Sequence, residues 1–458
     1  MAKKRDHQRP APTPGRRQNQ IKPSSRRDER TEAHSPSGSI KLVAFFIVSS
    51  VIAIAVYWLR QSSPSQHNGS YVYQRGLVTT DTNYQDILTE NTKVSENTSI
   101  RHYTYSVLGY ITPWNSLGYE MAKRFNSKFT HLSPVWYDLK SQQSSLVLEG
   151  RHNADKGWIS ELKKTGEALI LPRVVLEASP EELLRKKKLK NKAIDLIVTE
   201  CKEMGYDGIV LESWSRWAAY GILHDPVMRN LALQFIKQLG DALHSISSEK
   251  VSGQKLQLVY VIGPPSSQNL QAHDFGPKDL ETLSEVVDGF SLMTYDFSNP
   301  HKPGPNAPLE WIQIILQILL GASANRAQNI APKIFLGINF YGNDFSLSKG
   351  NSKDFLLFFC GLSSNRIFTL FESADSGGGA IIGRDYLALL EKHRPALQWD
   401  KNSGEHVFVY TADKDIKHAV FYPSLKSISL RLEEARSWGC GISIWEIGQG
   451  LDYFFDLL

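Results

Sequence analysis

Carboxyl groups that could exchange a proton with a substrate occur in the segment YDGIVLESW, residues 206–214. Because successive side chains of a strand point to opposite faces, Glu212 and Trp214 share one face of this segment, whereas Asp207 lies on the other. General acid or base chemistry on the first face therefore depends on Glu212. The alternative is a structural role, in which hydrogen bonds hold Glu212 inside the fold and Tyr295 is a candidate donor.

Other chemistries lack residues in the required pattern. Cys201, Cys360 and Cys440 lie far apart, and the sequence has no Cys-x-x-Cys or Cys/His ligand cluster, which excludes a disulfide framework and a structural zinc site. Neither Gly-x-Ser-x-Gly nor His-Glu-x-x-His occurs, and the glycines of GGGAIIG (377–383) have the wrong spacing for a phosphate-binding loop. We therefore expect no metal site and no cofactor.

Short apolar strands and amphipathic helices alternate around this segment from Tyr103 onward. Eight strands are predicted, at 103–111, 129–137, 168–176, 206–213, 256–263, 288–295, 333–341 and 440–447. This alternation predicts an α/β fold, a (β/α)8 TIM barrel, with a doubly wound parallel sheet as the alternative. The site of such a barrel lies at the carboxyl ends of its strands, which is where Glu212 falls.

The last two predicted strands are separated by far more chain than one helix requires. Within this gap, residues 405–424 alternate like a hairpin, so we expect a small α+β insertion at about 343–438. Residues 350–374 are apolar and aromatic and match neither flanking element. They represent either a mobile insertion or an error in the gene model.

The segment at 207–214 resembles the signature of glycoside hydrolase family 18, the chitinases and chitinase-like lectins, in which Asp-Gly-x-Asp-x-Asp-x-Glu closes the fourth barrel strand. Met293-Thr294-Tyr295-Asp296 at the end of strand six and Trp445 on strand eight are similar to two further family features. The resemblance covers residues 101–458, apart from 350–374. It implies a barrel that binds oligosaccharides of the chitin type.

The chain departs from this signature at the position that matters most for chemistry. With the family's inward register, Val210, Glu212 and Trp214 take the positions of the two inner aspartates and the catalytic glutamate. Family chemistry is substrate-assisted, and its glutamic acid protonates the glycosidic oxygen, whereas the indole of Trp214 has no proton to give at neutral pH. The resemblance therefore implies a remnant motif, Asp207, Glu212 and Trp214, and no confident catalytic residue.

Aromatic side chains at strand ends favour contact with sugars, because flat rings stack on pyranose faces. The alternative is that some of them are barrel packing. The predicted substrate-binding residues are Tyr110, Trp136, Glu212, Trp214, Met293, Tyr295, Asp296, Tyr341 and Trp445.

The net charge of +5 is confined to the N-terminus. Residues 1–39 hold ten Lys or Arg and four Asp or Glu and should be a disordered cytosolic tail, whereas the remaining residues are close to neutral. Residues 42–59 form an uncharged apolar run, so we predict a transmembrane signal-anchor helix at 40–60. The basic flank indicates a single-pass type II protein of the secretory system with a lumenal or extracellular barrel. Signal cleavage, giving a secreted or lysosomal protein, is the alternative.

Residues 61–100 are rich in Ser, Thr, Asn and Gln and are predicted to be a lumenal stalk with glycosylation sites at Asn68 and Asn97. The expected partners are an oligosaccharide and the membrane, with a protein partner possible and no nucleic acid. Three functions fit: saccharide binding without hydrolysis, weak or altered glycoside hydrolysis through Glu212, and a lumenal protein-interaction scaffold.

Overall fold

The computed structural model describes residues 69–143, 145–248, 253–321, 328–347 and 378–458. The predicted tail, the predicted transmembrane helix, Asn68 and the unmatched segment 350–374 lie outside these residues. Within them, none of the helices combines the length and the apolar character that crossing a bilayer requires.

Eight parallel strands form a closed barrel. They are β1 (Val107–Ile111), β2 (His131–Gln142), β3 (Arg173–Leu176), β4 (Gly208–Glu212), β5 (Gln257–Ile262), β6 (Gly289–Leu292), β7 (Ile334–Asn339) and β8 (Gly441–Trp445). Each strand pairs with the next, and β8 pairs with β1. This closure confirms the predicted (β/α)8 barrel, because a doubly wound sheet would leave two open edges.

Helices cover the outside of the barrel and connect its strands. The α-helices are Tyr71–Gln74, Tyr84–Glu90, Ser116–Arg124, Lys156–Thr165, Pro180–Arg185, Lys187–Met204, Trp214–Ala219, Pro226–His244, Pro277–Leu283, Leu309–Leu320, Gly383–His393 and Leu425–Trp438. Short 3-10 turns occur at Asn126–Lys128, Arg151–Asn153, Ile222–His224, Ala331–Lys333, Asp413–Asp415 and Asp452–Leu457.

The helix Pro226–His244 shows how the sequence specifies this outer layer. Asp225 caps it by accepting a hydrogen bond from the backbone of Val227, and proline at the first helical position has no N–H to leave unpaired. Its buried side chains recur every three or four residues, so one stripe of the helix faces the barrel.

Strand β4 carries the sequence motif into the barrel. Gly208 opens it with a φ of 147°, and a Cβ there would lie 2.0 Å from the carbonyl oxygen of Gln257. Only glycine therefore allows β4 and β5 to approach in this way. Further along, Val210 packs in the barrel interior, whereas Ile209 and Leu211 pack against the helices.

Smaller strands extend the barrel sheet. The end of β2 forms an antiparallel hairpin with Ser145–Glu149, and Leu169–Ile170 pairs with the start of β2 ahead of β3. The hairpin thus extends β2 past Leu139 and Leu176, the last residues at which β2 pairs with β3.

Between β7 and β8, where the sequence led us to expect an insertion, the described residues form a second sheet of five antiparallel strands. In spatial order these are Gly378–Ile381, Gly342–Leu347, Lys417–Phe421, Glu405–Thr411 and Gln398–Asp400. The hairpin predicted at 405–424 is the pair Glu405–Thr411 and Lys417–Phe421. The helix Gly383–His393 connects two of its strands.

Residues 69–100 pack on the barrel, whereas their composition predicted a stalk. The carboxylate of Asp456 accepts hydrogen bonds from the backbone N–H groups of Val72 at 3.0 Å and Ser95 at 2.9 Å. Val72 and Ile87 are buried in the main hydrophobic core. A few apolar side chains and one carboxylate thus attach this polar segment to the C-terminal residues.

Candidate functional site

The carboxyl ends of the barrel strands form a mouth whose floor is a layer of inward side chains. The buried members of this layer are Leu108, Tyr110, Leu171, Val210, Val259, Val261 and Phe335, with Val135, Leu169, Met293 and Trp445 packed against them. Three of the predicted substrate-binding residues, Tyr110, Met293 and Trp445, thus pack together.

Glu212, the last residue of β4, forms an ion pair with Arg173, the first residue of β3. Each of the two side chains is 13% exposed. Burial lowers the pKa of the Arg173 guanidinium, yet arginine stays charged in proteins. The guanidinium therefore stabilises the ionised form of Glu212, which is the form that cannot donate a proton.

The ring of Trp445, at the end of β8, is enclosed by two neighbours. The guanidinium carbon of Arg173 lies 5.0 Å from the ring centre. The ring of Tyr110 is 5.3 Å away and tilted by 53°. The Tyr110 hydroxyl donates to Ser291 Oγ at 2.8 Å, so its ring is held in place from below. The mouth thus has an aromatic floor with a cation lying across one face of Trp445.

A second group of predicted residues gathers where β6 and β7 end. The hydroxyl of Tyr341 donates to Asp296 Oδ1, and the rings of Tyr295 and Tyr341 meet edge to face at 6.3 Å. Burial raises the pKa of both tyrosines, so each keeps its proton and remains a hydrogen-bond donor. These side chains can orient the hydroxyl groups of a ligand.

Glu405, which belongs to the insertion, stabilises the loop of this second group. We did not predict this role from the sequence. Asp296 has a φ of 60°, and its backbone N–H donates to Asn306 Oδ1 at 2.8 Å. Glu405 in turn accepts from the backbone N–H groups of Asn306 at 3.0 Å and Ala307 at 2.7 Å, and it pairs with Arg431. Burial raises the pKa of Glu405, although Arg431 opposes the shift. The insertion therefore fixes the loop that carries Asp296.

Trp214 does not join the mouth, which differs from our expectation. Its indole Nε1 donates to the carbonyl oxygen of His273 at 2.9 Å, its ring meets Phe275 at 4.9 Å, and Arg229 lies 4.9 Å from its ring centre. The side chain is 3% exposed. Strand alternation failed here because β4 ends at Glu212 and a helix begins at Trp214.

Trp136 also packs away from the mouth, among the outer helices. Its Nε1 donates to the Tyr119 hydroxyl at 2.7 Å, and its ring contacts Trp158 at 5.9 Å. The pairing of β2 with β3 shifts between Val135 and Tyr137, and Val135 takes the inward position. Because Val135 faces inward, its neighbour Trp136 faces outward by ordinary strand alternation.

Asp207 lies just ahead of β4, at the opposite end of the barrel from the mouth. Its carboxylate accepts from the backbone N–H of Ile170 at 2.9 Å. It is a structural link between neighbouring strands.

Two charged residues in or beside the mouth, Arg173 and Glu446, were missed. Arg173 is the one cation in ALILPRVVL (168–176), and its place at an inward position of an apolar strand was a usable signal. Glu446 follows Trp445, and its fully buried carboxylate lies against the loop after β1.

Glu446 connects the floor of the mouth to the loop after β1. Asn115 donates to its Oε2 at 2.7 Å, and the backbone N–H of Thr112 donates to its Oε1 at 3.4 Å. Burial raises the pKa of Glu446 to about 7. The same loop carries Trp114, which is 73% exposed and is free to stack on a ligand.

The described part of the chain shows no cluster of three His, Cys, Asp or Glu side chains arranged to hold a metal ion. The mouth offers aromatic faces, tyrosine hydroxyls and an internally neutralised ion pair. This arrangement suits the binding of a ligand with both apolar ring faces and hydroxyl groups.

Comparisons with known proteins agree with this architecture. A family model for glycosyl hydrolases family 18 matches residues 176–450. The cortical fragment-lytic enzyme of Bacillus subtilis is 20% identical over 295 residues, which cover 63% of this chain and 58% of the relative. The chain thus spans less than two thirds of that relative's length.

Solved structures share the fold. A chitinase from Chromobacterium violaceum superposes with a TM-score of 0.58 at 19% identity, covering 77% of this chain and 98% of that one. A family 18 chitinase from Cycas revoluta in complex with (GlcNAc)3 gives a TM-score of 0.60 at 14% identity, covering 77% and 97%.

Proposed function

The chain belongs to glycosyl hydrolases family 18, and from this membership we propose that its barrel mouth binds oligosaccharides of N-acetylglucosamine without hydrolysing them. The observation that carries the proposal is the Arg173–Glu212 ion pair beside Trp445. The ion pair leaves an aromatic floor that a sugar can contact. It also holds the carboxylate of Glu212, which could otherwise act as an acid, against Arg173.

Support for sugar binding comes from the aromatic and hydroxyl groups at the mouth. Trp445 and Tyr110 form the floor, and Tyr295 and Tyr341 place protonated hydroxyls on one side. Sugars are bound by such combinations, because ring faces pack on aromatic carbon and hydroxyls need directed partners. The Cycas revoluta neighbour was solved with (GlcNAc)3, which names the ligand class to test.

Support for the absence of hydrolysis comes from the acid position. Acid catalysis contributes about 10²–10⁴-fold in rate. Trp214 has no ionisable proton and packs outside the mouth, and Glu212 is held as a carboxylate by Arg173. Neither residue can protonate a glycosidic oxygen in this arrangement.

Hydrolysis through Glu212 is the second candidate, since the Bacillus subtilis relative is named a lytic enzyme. It requires Glu212 to leave Arg173 and take up a proton. Chromatography of chitotetraose incubated with the full chain separates the two candidates. Intact sugar supports binding alone, whereas shorter products lost in Glu212→Gln support hydrolysis.

We further propose that the chain belongs to the branch of the family that contains chitinase domain-containing protein 1. The phrases that support it are SLMTYDFSNPHKPGPNAPLEW, FLGINFYG and GISIWEIGQGLDYFFDLL. The second of these runs from β7 into the insertion, and the third includes β8, Trp445 and Glu446.

We also propose that residues 40–60 attach the chain to a membrane, with the barrel on the lumenal or extracellular side. It rests on the uncharged run at 42–59 and its basic N-terminal flank. Asn97, on the barrel side, is exposed. Alkaline carbonate extraction of cell membranes should leave the full chain in the pellet, and a glycosidase should shift its mobility unless Asn68 and Asn97 are both replaced. Release into the supernatant contradicts attachment.

A further inference from the structure

The guanidinium of Arg173 lies between Glu212 and Trp445, at the carboxyl ends of β4 and β8. Arg173 belongs to β3 and its ring partner Trp445 to β8, and β1 and β2 lie between these strands in the sheet. A side chain from β3 can lie over a ring from β8 only by crossing the interior of the barrel.

Glu212 holds the guanidinium in this position from the side of β4. In the parallel pairing of β3 with β4, Arg173 lies opposite Val210, and Glu212 lies one inward position nearer the mouth. Arg173 therefore extends upward along the barrel axis to reach the carboxylate. The ion pair and the contact with Trp445 together restrict its side chain.

We propose that Arg173 is a specificity-determining residue that closes the innermost sugar position, so that a saccharide gains the covered face of Trp445 only after Arg173 separates from Glu212. This inference rests on the proposed saccharide binding. The chain then binds its ligand mainly through the outer part of the mouth. The contact of Arg173 with Glu212 and Trp445 limits the affinity for the ligand.

The strength of the contacts that Arg173 makes with Glu212 and Trp445 determines how much they reduce the affinity for the saccharide. Both charges are mostly buried, so each depends on the other for compensation. A cation over an aromatic face, when partly desolvated, corresponds to a factor of roughly 2 to 30 in an equilibrium constant. A ligand that binds only when Arg173 has separated from Glu212 has a raised apparent dissociation constant. This constant equals the intrinsic one divided by the fraction of molecules in that separated state.

The test replaces Arg173 and Glu212 together, because Arg173→Ala alone would leave a buried carboxylate without its partner. In Arg173→Ala/Glu212→Gln, we expect calorimetry to show chitotetraose binding roughly threefold to tenfold tighter than in the parent chain. Adding Trp445→Ala should abolish this gain. Arg173→Gln, which keeps a polar side chain of similar length, is a second variant and should give a smaller gain in the same direction.

Arg229→Ala is the matched control. Arg229 lies over Trp214 at 4.9 Å, nearly the distance of Arg173 from Trp445, but outside the mouth. Its removal should leave the dissociation constant of chitotetraose unchanged.

The outcomes separate this inference from the proposed function. If the parent chain binds chitotetraose and the Arg173 variants, folded by circular dichroism, bind equally or more weakly, the inference is overturned and saccharide binding stands. If the variants bind and the parent does not, the inference is supported. If neither binds at millimolar sugar, the proposed function fails and the inference with it.

Discussion

The guanidinium of Arg173 lies 5.0 Å from the ring centre of Trp445, although the two residues come from strands separated by β1 and β2. The contact spans the barrel mouth and is held by Glu212. It connects Trp445, one of the predicted substrate-binding residues, to Glu212, the carboxylate on which strand alternation made acid–base chemistry depend. The predictions below follow from this arrangement and from the elements that support it.

Trp445→Ala should weaken the binding of chitotetraose by about tenfold, because the variant loses the aromatic floor of the mouth. Trp445→Phe should retain part of the affinity. Calorimetric titration measures both. Trp438, on the outer helix Leu425–Trp438, is the control, and Trp438→Ala should bind as the parent does. Equal affinity in Trp445→Ala would show that the sugar does not use this floor.

Trp214→Glu should not restore hydrolysis, although it places a glutamate at the sequence position where the family has one. The side chain at 214 lies against Phe275 and Arg229, outside the mouth. The change should also cost about 3 kcal/mol in unfolding free energy, since a large buried ring is lost. Chitotetraose cleavage above that of Trp214→Ala would contradict the placement of this residue.

Glu446 should make stability depend on pH. Burial raises its pKa to about 7 from an ordinary 4.5, so between these values the folded chain binds more protons than the unfolded chain. The contribution of Glu446 to stability is therefore largest below about pH 4.5 and is lost as pH rises through 7, by about 3 kcal/mol in total.

Glu446→Gln cannot ionise and should remove this dependence. Urea denaturation at several pH values across the range measures the unfolding free energy. Glu120, exposed on the helix Ser116–Arg124, is the control, and Glu120→Gln should keep the parent profile. An unchanged profile in Glu446→Gln would show that another group is responsible.

Asp456→Ala should release residues 69–100 from the barrel. The carboxylate accepts hydrogen bonds from Val72, Ser95 and Ser70, and its loss leaves buried donors without partners, at a cost of about 3 kcal/mol. Limited proteolysis should then cut within 69–100 before the barrel is cut.

Asp452→Ala provides the comparison for Asp456→Ala. Asp452 pairs with Arg124 near the surface, so its loss should cost under about 1 kcal/mol. Equal protease sensitivity of the two variants would show that Asp456 does not attach the segment.

The barrel was predictable because its strands are short β-branched and aromatic runs whose spacing repeats. All eight strands and the hairpin of the insertion occur where those runs occur. The segment 69–100 was harder to interpret, because it is polar overall. Its attachment depends on a few apolar side chains such as Val72 and on Asp456, far away in sequence.

Side-chain direction was predictable only inside continuous strands. Glu212 and Trp445 face the mouth as alternation requires, and Trp136 faces outward because it follows the inward Val135, whereas Trp214 follows the end of β4. The partner of Glu212 could not be deduced from local spacing, because Arg173 comes from a neighbouring strand. Contacts between strands depend on the closed barrel and not on the local sequence.

Calorimetric titration of the full chain with chitotetraose, followed by chromatography of the sugar recovered from the cell, tests saccharide binding without hydrolysis most directly. We predict saturable binding with the tetrasaccharide recovered intact. The account is contradicted if no heat of binding appears at millimolar sugar. It is equally contradicted if shorter sugars accumulate in the parent chain but not in Glu212→Gln.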